Sequence, residues 1–556
     1  MPADPDSPFP TPERLEDLTE SGLPEGSFDR AVAVVERWTL EGPFPDVAAA
    51  VPYREPSDWG ALLEAEVARR AGLLVGTEAL HCAAREWGRF HLEHGAPPDP
   101  DLAGWMSARC SASVPNVAFH HFEGGIPQDA TEAEVYEGWR EAVASLLSQR
   151  LVGGPLEAGI WYGRRANRAI VVLAAGERLL HLEPLATVLP EGGDGSFVLR
   201  GELLVPAEEI SAAVNRGRFG VADCERNASL RLPRFAFRCR TDPADAESWL
   251  SVGLTPPGRI LGRGALGLLV WPSGSTRAEW RRPSWGQPVL VTPETDVDAE
   301  LAALVNRLRG EAGLAPLELS AAQSRVAERL APHYFASVFG FAPGASGDLV
   351  ALGLIAGWHV EGVVQSGSFA ASWVARSLDL DHLLATAIQY PAGRRTLLDP
   401  DARRLAVGAL VRREAPFLAG VFGTYALFEE TAHDEAARQV LAALDAARAA
   451  RGKPTILHLP QIASLGRLAA GRVQSGEAAP DVLNDLLRQS AQVLQRSVNG
   501  WLVETREIGE VVFPEALLDS DHVEIAIGIS HHKPVGEAWG RYVILLVSAG
   551  ATGQGA

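Results

Sequence analysis

The residues best suited to chemistry in this sequence are His359-Val360-Glu361. On a strand, residues two apart share a face. The imidazole and the carboxylate would then enter one cleft, as a base or as ligands for a divalent cation. The competing reading is the polar side of a surface strand. Two adjacent pairs, His120-His121 and His531-His532, are poorer chelates, because neighbours on an extended chain face opposite ways. Both pairs read as loop or turn residues. Gly262-Arg263-Gly264 and Gly192-Gly193-Asp194-Gly195 do not open a helix after a strand, so they are no phosphate loop. No G-x-S-x-G elbow sits on a strand-to-helix turn. The expectation is no confident catalytic residue, no cofactor and no resident metal.

The elements that would position such residues repeat along the chain. Leu397-Leu398-Asp399-Pro400-Asp401 resembles Leu517-Leu518-Asp519-Ser520-Asp521, and each precedes an apolar run, Leu405–Gly408 or Ile525–Gly528. Phe422-Gly423-Thr424-Tyr425 matches Trp539-Gly540-Arg541-Tyr542, and both tetrads read as strand openings. Upstream, Leu301, Leu304, Val305 and Leu308 form a helical stripe with Asp298 as N-cap and Gly313 as stop. Val440, Leu444 and Ala447 form its counterpart, and Arg309 and Arg448 each stand four residues before the closing glycine. Second helices follow. One starts at Ser320-Ala321-Ala322-Gln323, a capping-box pattern, and Arg329-Leu330-Ala331 aligns with Arg467-Leu468-Ala469. Residues 296–430 and 434–550 thus read as two copies of one helix–helix–strand–strand plan.

A more diverged copy is expected over 27–175, ending in a hairpin of Ala158–Tyr162 and Ala169–Leu173. Between them, short apolar runs recur over 176–290, the texture of a β-sandwich. Residues 1–26 read as a disordered lead-in and 551–556 as a flexible tail. The fold class is α+β. Cys82 with Cys110, and Cys224 with Cys239, form two local pairs without metal-ligand spacing. Disulfides there would imply an oxidising compartment, and free buried thiols are the alternative. The start has no basic or apolar signal region, which leaves a cytoplasmic protein or a mature exported form. The net charge of −20 disfavours nucleic acid and anionic lipid. No apolar run is long enough to span a membrane. Heavy Arg, Ala, Gly and Pro usage suggests a GC-rich bacterial genome. Trp280 and Trp285, flanking Arg281 and Arg282, lie in a linker-like stretch that either anchors a partner or packs onto its own domains.

The run Leu304-Val305-Asn306-Arg307-Leu308-Arg309-Gly310-Glu311-Ala312-Gly313-Leu314-Ala315-Pro316-Leu317 resembles the opening helix of the CAP superfamily, the relatives of cysteine-rich secretory and pathogenesis-related proteins. Pro391–Leu398 is similar to that family's "S-P-x-H-R-x-x-L-L" segment, and Leu405–Leu410 to its "V-G-V-G" strand. The resemblance implies tandem α-β-α sandwiches, secretion, and a cleft of two His and two acidic residues that sometimes holds a metal ion. Gly393 and Arg394 stand where the family has His-Arg, and neither Val512–Ala516 nor Ala144–Arg150 holds a His. His333 and His94 lie near the place of the second family His. Three functions follow. One is a non-catalytic extracytoplasmic binding or scaffolding protein, whose partners are other proteins, surface polymer or lipid. Another is a peptidase-like hydrolase using His333, His359 and Glu361. The third is a subunit of a larger surface assembly. Oligomeric state is left open.

Overall fold

The computed structural model describes residues 32–45, 56–272 and 278–549, with short breaks at 358–359, 430–431, 460–461 and 535–536, and scattered positions elsewhere. The tail 551–556 lies outside the described residues.

The first part contains β1 (Arg37–Thr39), α1 (Asp58–Arg69), β2 (Leu74–Gly76), α2 (Glu78–His94), α3 (Pro100–Arg109), β3 (Ala118–Gly125), α4 (Glu132–Arg150), β4 (Leu156–Arg165) and β5 (Arg168–Glu177). β2 pairs parallel with β4, β4 forms an antiparallel hairpin with β5, and β3 closes the far edge against β5. Alternate residues of β5 feed two cores. Ile170, Val172 and Ala174 pack under α2 and α3, and Val171 and Leu173 pack under α1 and α4. The result is an α-β-α sandwich. Ser57, Thr77 and Asp99 cap α1, α2 and α3, and Thr131 with Glu134 forms a capping box on α4. A disulfide joins Cys82 in α2 to Cys110 at the end of α3.

The middle is all β: β6 (Leu180–Leu182), β7 (Ser196–Leu203), β8 (Glu209–Arg216), β9 (Gly220–Asp223), β10 (Glu225–Arg226), β11 (Arg234–Arg240), β12 (Ser248–Thr255), β13 (Arg263–Val270) and β14 (Glu279–Arg281). Sheets β10-β11-β7-β6 and β13-β12-β8-β9 share one core, in which Leu199, Phe235 and Phe237 meet Val214, Leu250 and Leu268. Cys224 is bonded to Cys239. β14 pairs with β1, so the linker-like stretch packs on its own molecule and Trp280 is buried.

The next part holds α5 (Val297–Glu311), β15 (Glu318–Leu319), α6 (Ala321–Val338), α7 (Gly344–Ile355), β16 (Val364–Ala375), α8 (Leu380–Gln389), α9 (Pro391–Leu397), β17 (Arg404–Arg412) and β18 (Phe417–Leu427). The last holds α10 (His433–Ala449), β19 (Leu457–His458), α11 (Ala463–Gln474), α12 (Ala479–Leu494), β20 (Val498–Thr505), α13 (Glu515–Asp519), β21 (Glu524–His532) and β22 (Arg541–Ala549). Their sheets run β15-β17-β18-β16 and β19-β21-β22-β20, with the same parallel-then-antiparallel pairing as the first. Each again separates two apolar layers. Arg309 and Arg448 are buried, and each donates to carbonyls of the following loop and of the segment before the hairpin (Ala315, Leu397 and Asp399; Pro454 and Leu517).

Some local expectations fail. The N-cap of α5 is Asp296, whose side chain accepts from Ala299, and Asp298 lies in the first turn. Ser320 makes no side-chain cap bond, and Gln323 is buried instead of reaching back. The matched aromatic tetrads are not equivalent: Phe422–Tyr425 lies in the last half of β18, whereas Trp539–Tyr542 leads into β22. Leu330 is buried while Leu468 is exposed, so that helix alignment slips. Leu15 and Leu23, within the expected disordered lead-in, are buried against α6 and β18.

A buried polar seam joins the first part to the third. His382 Nε2 lies 2.8 Å from Asp101 Oδ2, Thr386 donates to the same oxygen, and Arg282 donates to His382 Nδ1 at 2.7 Å. With Nδ1 accepting, the imidazole carries its proton on Nε2 and donates it to Asp101. Asp99 lies beside this seam, where burial and then the charge of Asp101 push its carboxyl up from 3.8 to about 6. Between those values the native chain holds a proton that the unfolded chain has lost, so stability falls as pH rises. Asp99→Asn keeps the capping oxygen. The variant should be more stable than wild type at pH 7 by roughly 1–2 kcal/mol, with the gain vanishing near pH 4, as read by urea unfolding.

Candidate functional site

Close helix packing sets the frame for each sheet. A Cβ added at Gly159 of β4 would lie 2.1 Å from the His81 nitrogen of α2. One at Gly408 of β17 would lie 2.3 Å from the Ala327 carbonyl carbon of α6, and one at Gly528 of β21 would lie 2.7 Å from the Ile462 oxygen. No side chain fits at any of the three. Across each sheet these glycines align with Ala174 and Phe119, with Val421 and Ala371, and with Leu545 and Leu502. Two residues further along the edge strand come His121, Trp373 and Glu504, and two beyond those come Glu123, Ala375 and Arg506.

In the first sheet this position carries chemistry. His121 and Glu123 lie on one face of β3, toward α2. His91, in the last turns of α2, reaches down to them. Its Nε2 lies 2.9 Å from Glu123 Oε2, and its ring centre is 4.8 Å from that of His121. Donor atoms of His91, His121 and Glu123 all lie within 4.8 Å of one another, the one such trio among the described residues. Trp87 stacks on His91 and on Phe119, and His121 tilts against the same indole. The aromatic wall holds both imidazoles in place.

His91 is 3% exposed and its Nδ1 has no hydrogen-bond partner, while Glu123 is 38% exposed at the mouth. Burial raises the Glu123 carboxyl, but hydrogen bonds from His91 and from Arg168 (2.8 Å) outweigh it and hold the group below the ordinary range. Two imidazoles and an ionised carboxylate suit a divalent cation of the zinc type and leave a fourth position free.

The other sheets differ at this place. In the third part it is filled by rings: Trp373 packs edge-on against Phe339 and Phe335. With Leu80 and Ala327 aligned by their contacts with Gly159 and Gly408, Val338 of α6 stands where α2 has His91. In the last part Glu504 pairs with the buried His532 at 2.9 Å, and His531 meets His433 at 2.8 Å and stacks on Phe428.

These placements correct several readings. His120-His121 and His531-His532 are strand residues of β3 and β21, not loop residues. Alternation indeed separates the neighbours, but each of His121 and His532 finds its partner on another element. His333 is buried in α6, and His94 meets Trp38 edge-on and lies tilted against Phe90. Glu361 is exposed in a bend before β16 rather than on a strand, and His359 lies outside the described residues. The usable sequence signal was His91, thirty residues before a His-x-Glu pattern on a strand.

No family model matches the chain, and no curated protein matches it. Among solved structures, it is similar to a cysteine-rich secretory protein from Staphylococcus aureus subsp. aureus Mu50. That match has 11% identity and a TM-score of 0.18, covering 44% of this chain and 84% of that one. It is also similar to Na-ASP-1, with 10% identity and a TM-score of 0.16, covering 69% of this chain and 95% of that one. At these scores neither overlay bears on function.

Removing the guanidinium beside Glu123 tests the electrostatics of the site. In Arg168→Met the Glu123 carboxyl should titrate at higher pH than in wild type, as followed by its side-chain carbon resonance. An unchanged midpoint would mean that Arg168 does not act on it.

Proposed function

We propose that this chain is a non-catalytic, extracytoplasmic binding protein of three CAP-like units, 27–175, 296–430 and 434–550, with a β-sandwich at 176–290. In this reading the first unit holds a divalent cation between His91, His121 and Glu123. The repeated strand order and the shared glycine frame support the common descent of the units. The two disulfides support export to an oxidising compartment.

The observation that carries the reading is the clustering of two imidazoles and one carboxylate at the frame position where the other sheets have Trp373 and Glu504. A bound cation would supply fixed positive charge and Lewis acidity. His91 and His121 would ligate it as neutral rings, and Glu123 as the anion. Arg168 would orient Glu123, and Trp87 would limit the movement of both rings.

Titration of the full chain with Zn²⁺ at pH 7.5 should give one site with a Kd of about 1 μM or tighter. His121→Ala should weaken it by at least about tenfold, and Glu504→Gln should leave it unchanged. Absence of binding, or an unaltered site in His121→Ala, would contradict the cation site. Zinc-dependent hydrolysis of a p-nitrophenyl ester, lost in His121→Ala, would overturn the non-catalytic assignment.

A further inference from the structure

The helices α1, α5 and α10 are each followed by a glycine in the left-handed region: Gly72, Gly313 and Gly452, with φ of 83°, 74° and 70°. Positions four, eight and twelve residues before that glycine follow one another along one ridge of the helix. In the third part they hold Arg309, Val305 and Leu301, and in the last part Arg448, Leu444 and Val440. All six side chains are fully buried. Helix α1 carries Ala68, Glu64 and Gly60 at the same three places. Three large side chains are therefore missing from one ridge. A cavity of about 240 Å³ opens there, lined by Gly60, Glu64 and Ala68 and faced by Tyr53, His81 and Ile160.

We infer that this cavity binds a small organic cation, an ammonium or guanidinium group on an apolar body. The charge of the occupant follows from Glu64. Where the sister helices bury Val305 and Leu444, the first places a carboxylate, and that carboxylate makes no hydrogen bond or ion pair with the described residues. Its neighbour Glu66 is paired with Arg69 instead. No arginine or lysine lines the cavity, so the only formal charge in its wall is negative. The sister units show the complementary arrangement, because there the ridge ends in a buried cation bonded to carbonyls. His81 Nδ1 lies 2.6 Å from the Ile160 carbonyl and carries its proton there, which leaves the lone pair of the neutral ring on Nε2. The ring of Tyr53, 5.1 Å from that of His81, offers a π face, which also favours a cation. Leu63, Val67 and Ile160 would receive the apolar body. The volume is below that of pockets for drug-sized ligands, so the occupant is small. A net charge of −20 raises the local concentration of any cation. The inference rests on the equivalence of the three units and not on the trio around His91, so the two stand or fall separately.

The test is saturation-transfer NMR of the full chain with phenethylammonium and n-butylguanidinium, beside the anion 3-phenylpropionate and the neutral 2-phenylethanol. At least one of the two cations should bind saturably with a Kd of about 1 mM or tighter, and at least about tenfold more tightly than 3-phenylpropionate. Glu64→Gln keeps the shape of the wall and should erase that preference with Tm unchanged. Ala68→Arg restores the side chain of the sister units and should abolish binding. Tighter or equal binding of 3-phenylpropionate would overturn the inference, as would undiminished cation affinity in Glu64→Gln. Failure of both cations to bind at up to about 20 mM would overturn it as well.

Discussion

In three places a helix lies against the first strand of a β-hairpin so closely that a methyl group would meet backbone. The strand residues there are Gly159, Gly408 and Gly528. Interiors are packed too densely to absorb such an overlap without moving the helix. Each contact therefore fixes the height of the helix over the sheet and its position along the strands. Backbone pairing then carries that position across the sheet to the edge strand. Two residues further along the edge strand, His121 and Trp373 meet the last turns of the same helix in the first and third parts. The site of the first sheet exists because this geometry brings α2 down to β3.

One frame serves different chemistry. In the first sheet, His91, His121 and Glu123 meet beneath Trp87, with Arg168 holding the carboxylate. In the third part the same place is aromatic, and Trp373, Phe339 and Phe335 fill it. Exchanging imidazoles for larger rings trades a polar cluster, which must be fully hydrogen-bonded or occupied, for apolar burial that needs no partner. The last part is intermediate, with one His–Glu pair and a separate His–His contact. The buried arginines Arg309 and Arg448 follow the opposite course: they persist in the two later units, and their carbonyl partners lie at matching places.

The coarse α+β class, the hairpins and the β-rich middle were legible because local patterning encodes them. Gly408 and Gly528 were visible within matching apolar runs, since only glycine tolerates the helix contact. Arg309 and Arg448 were visible because a buried cation needs its carbonyl partners at a fixed distance from the helix end. The site itself was not legible. His91 and Glu123 are 32 residues apart, and nothing local reveals that a helix end will descend onto an edge strand. Adjacency drew attention to His120-His121 as a pair, whereas only His121 faces the helix. His359 and Glu361 were read by a strand rule, but Glu361 sits in a bend, where alternation has no meaning. The aromatic tetrads misled for a related reason. Glycine beside an aromatic residue fits either end of a buried strand, so the match carried no register.

The most direct measurement is anomalous scattering at the zinc edge from a crystal of the full chain grown with equimolar Zn²⁺. The account predicts a single strong peak bounded by His91, His121 and Glu123, and none beside Trp373 or Glu504. A peak elsewhere with this trio empty would contradict it.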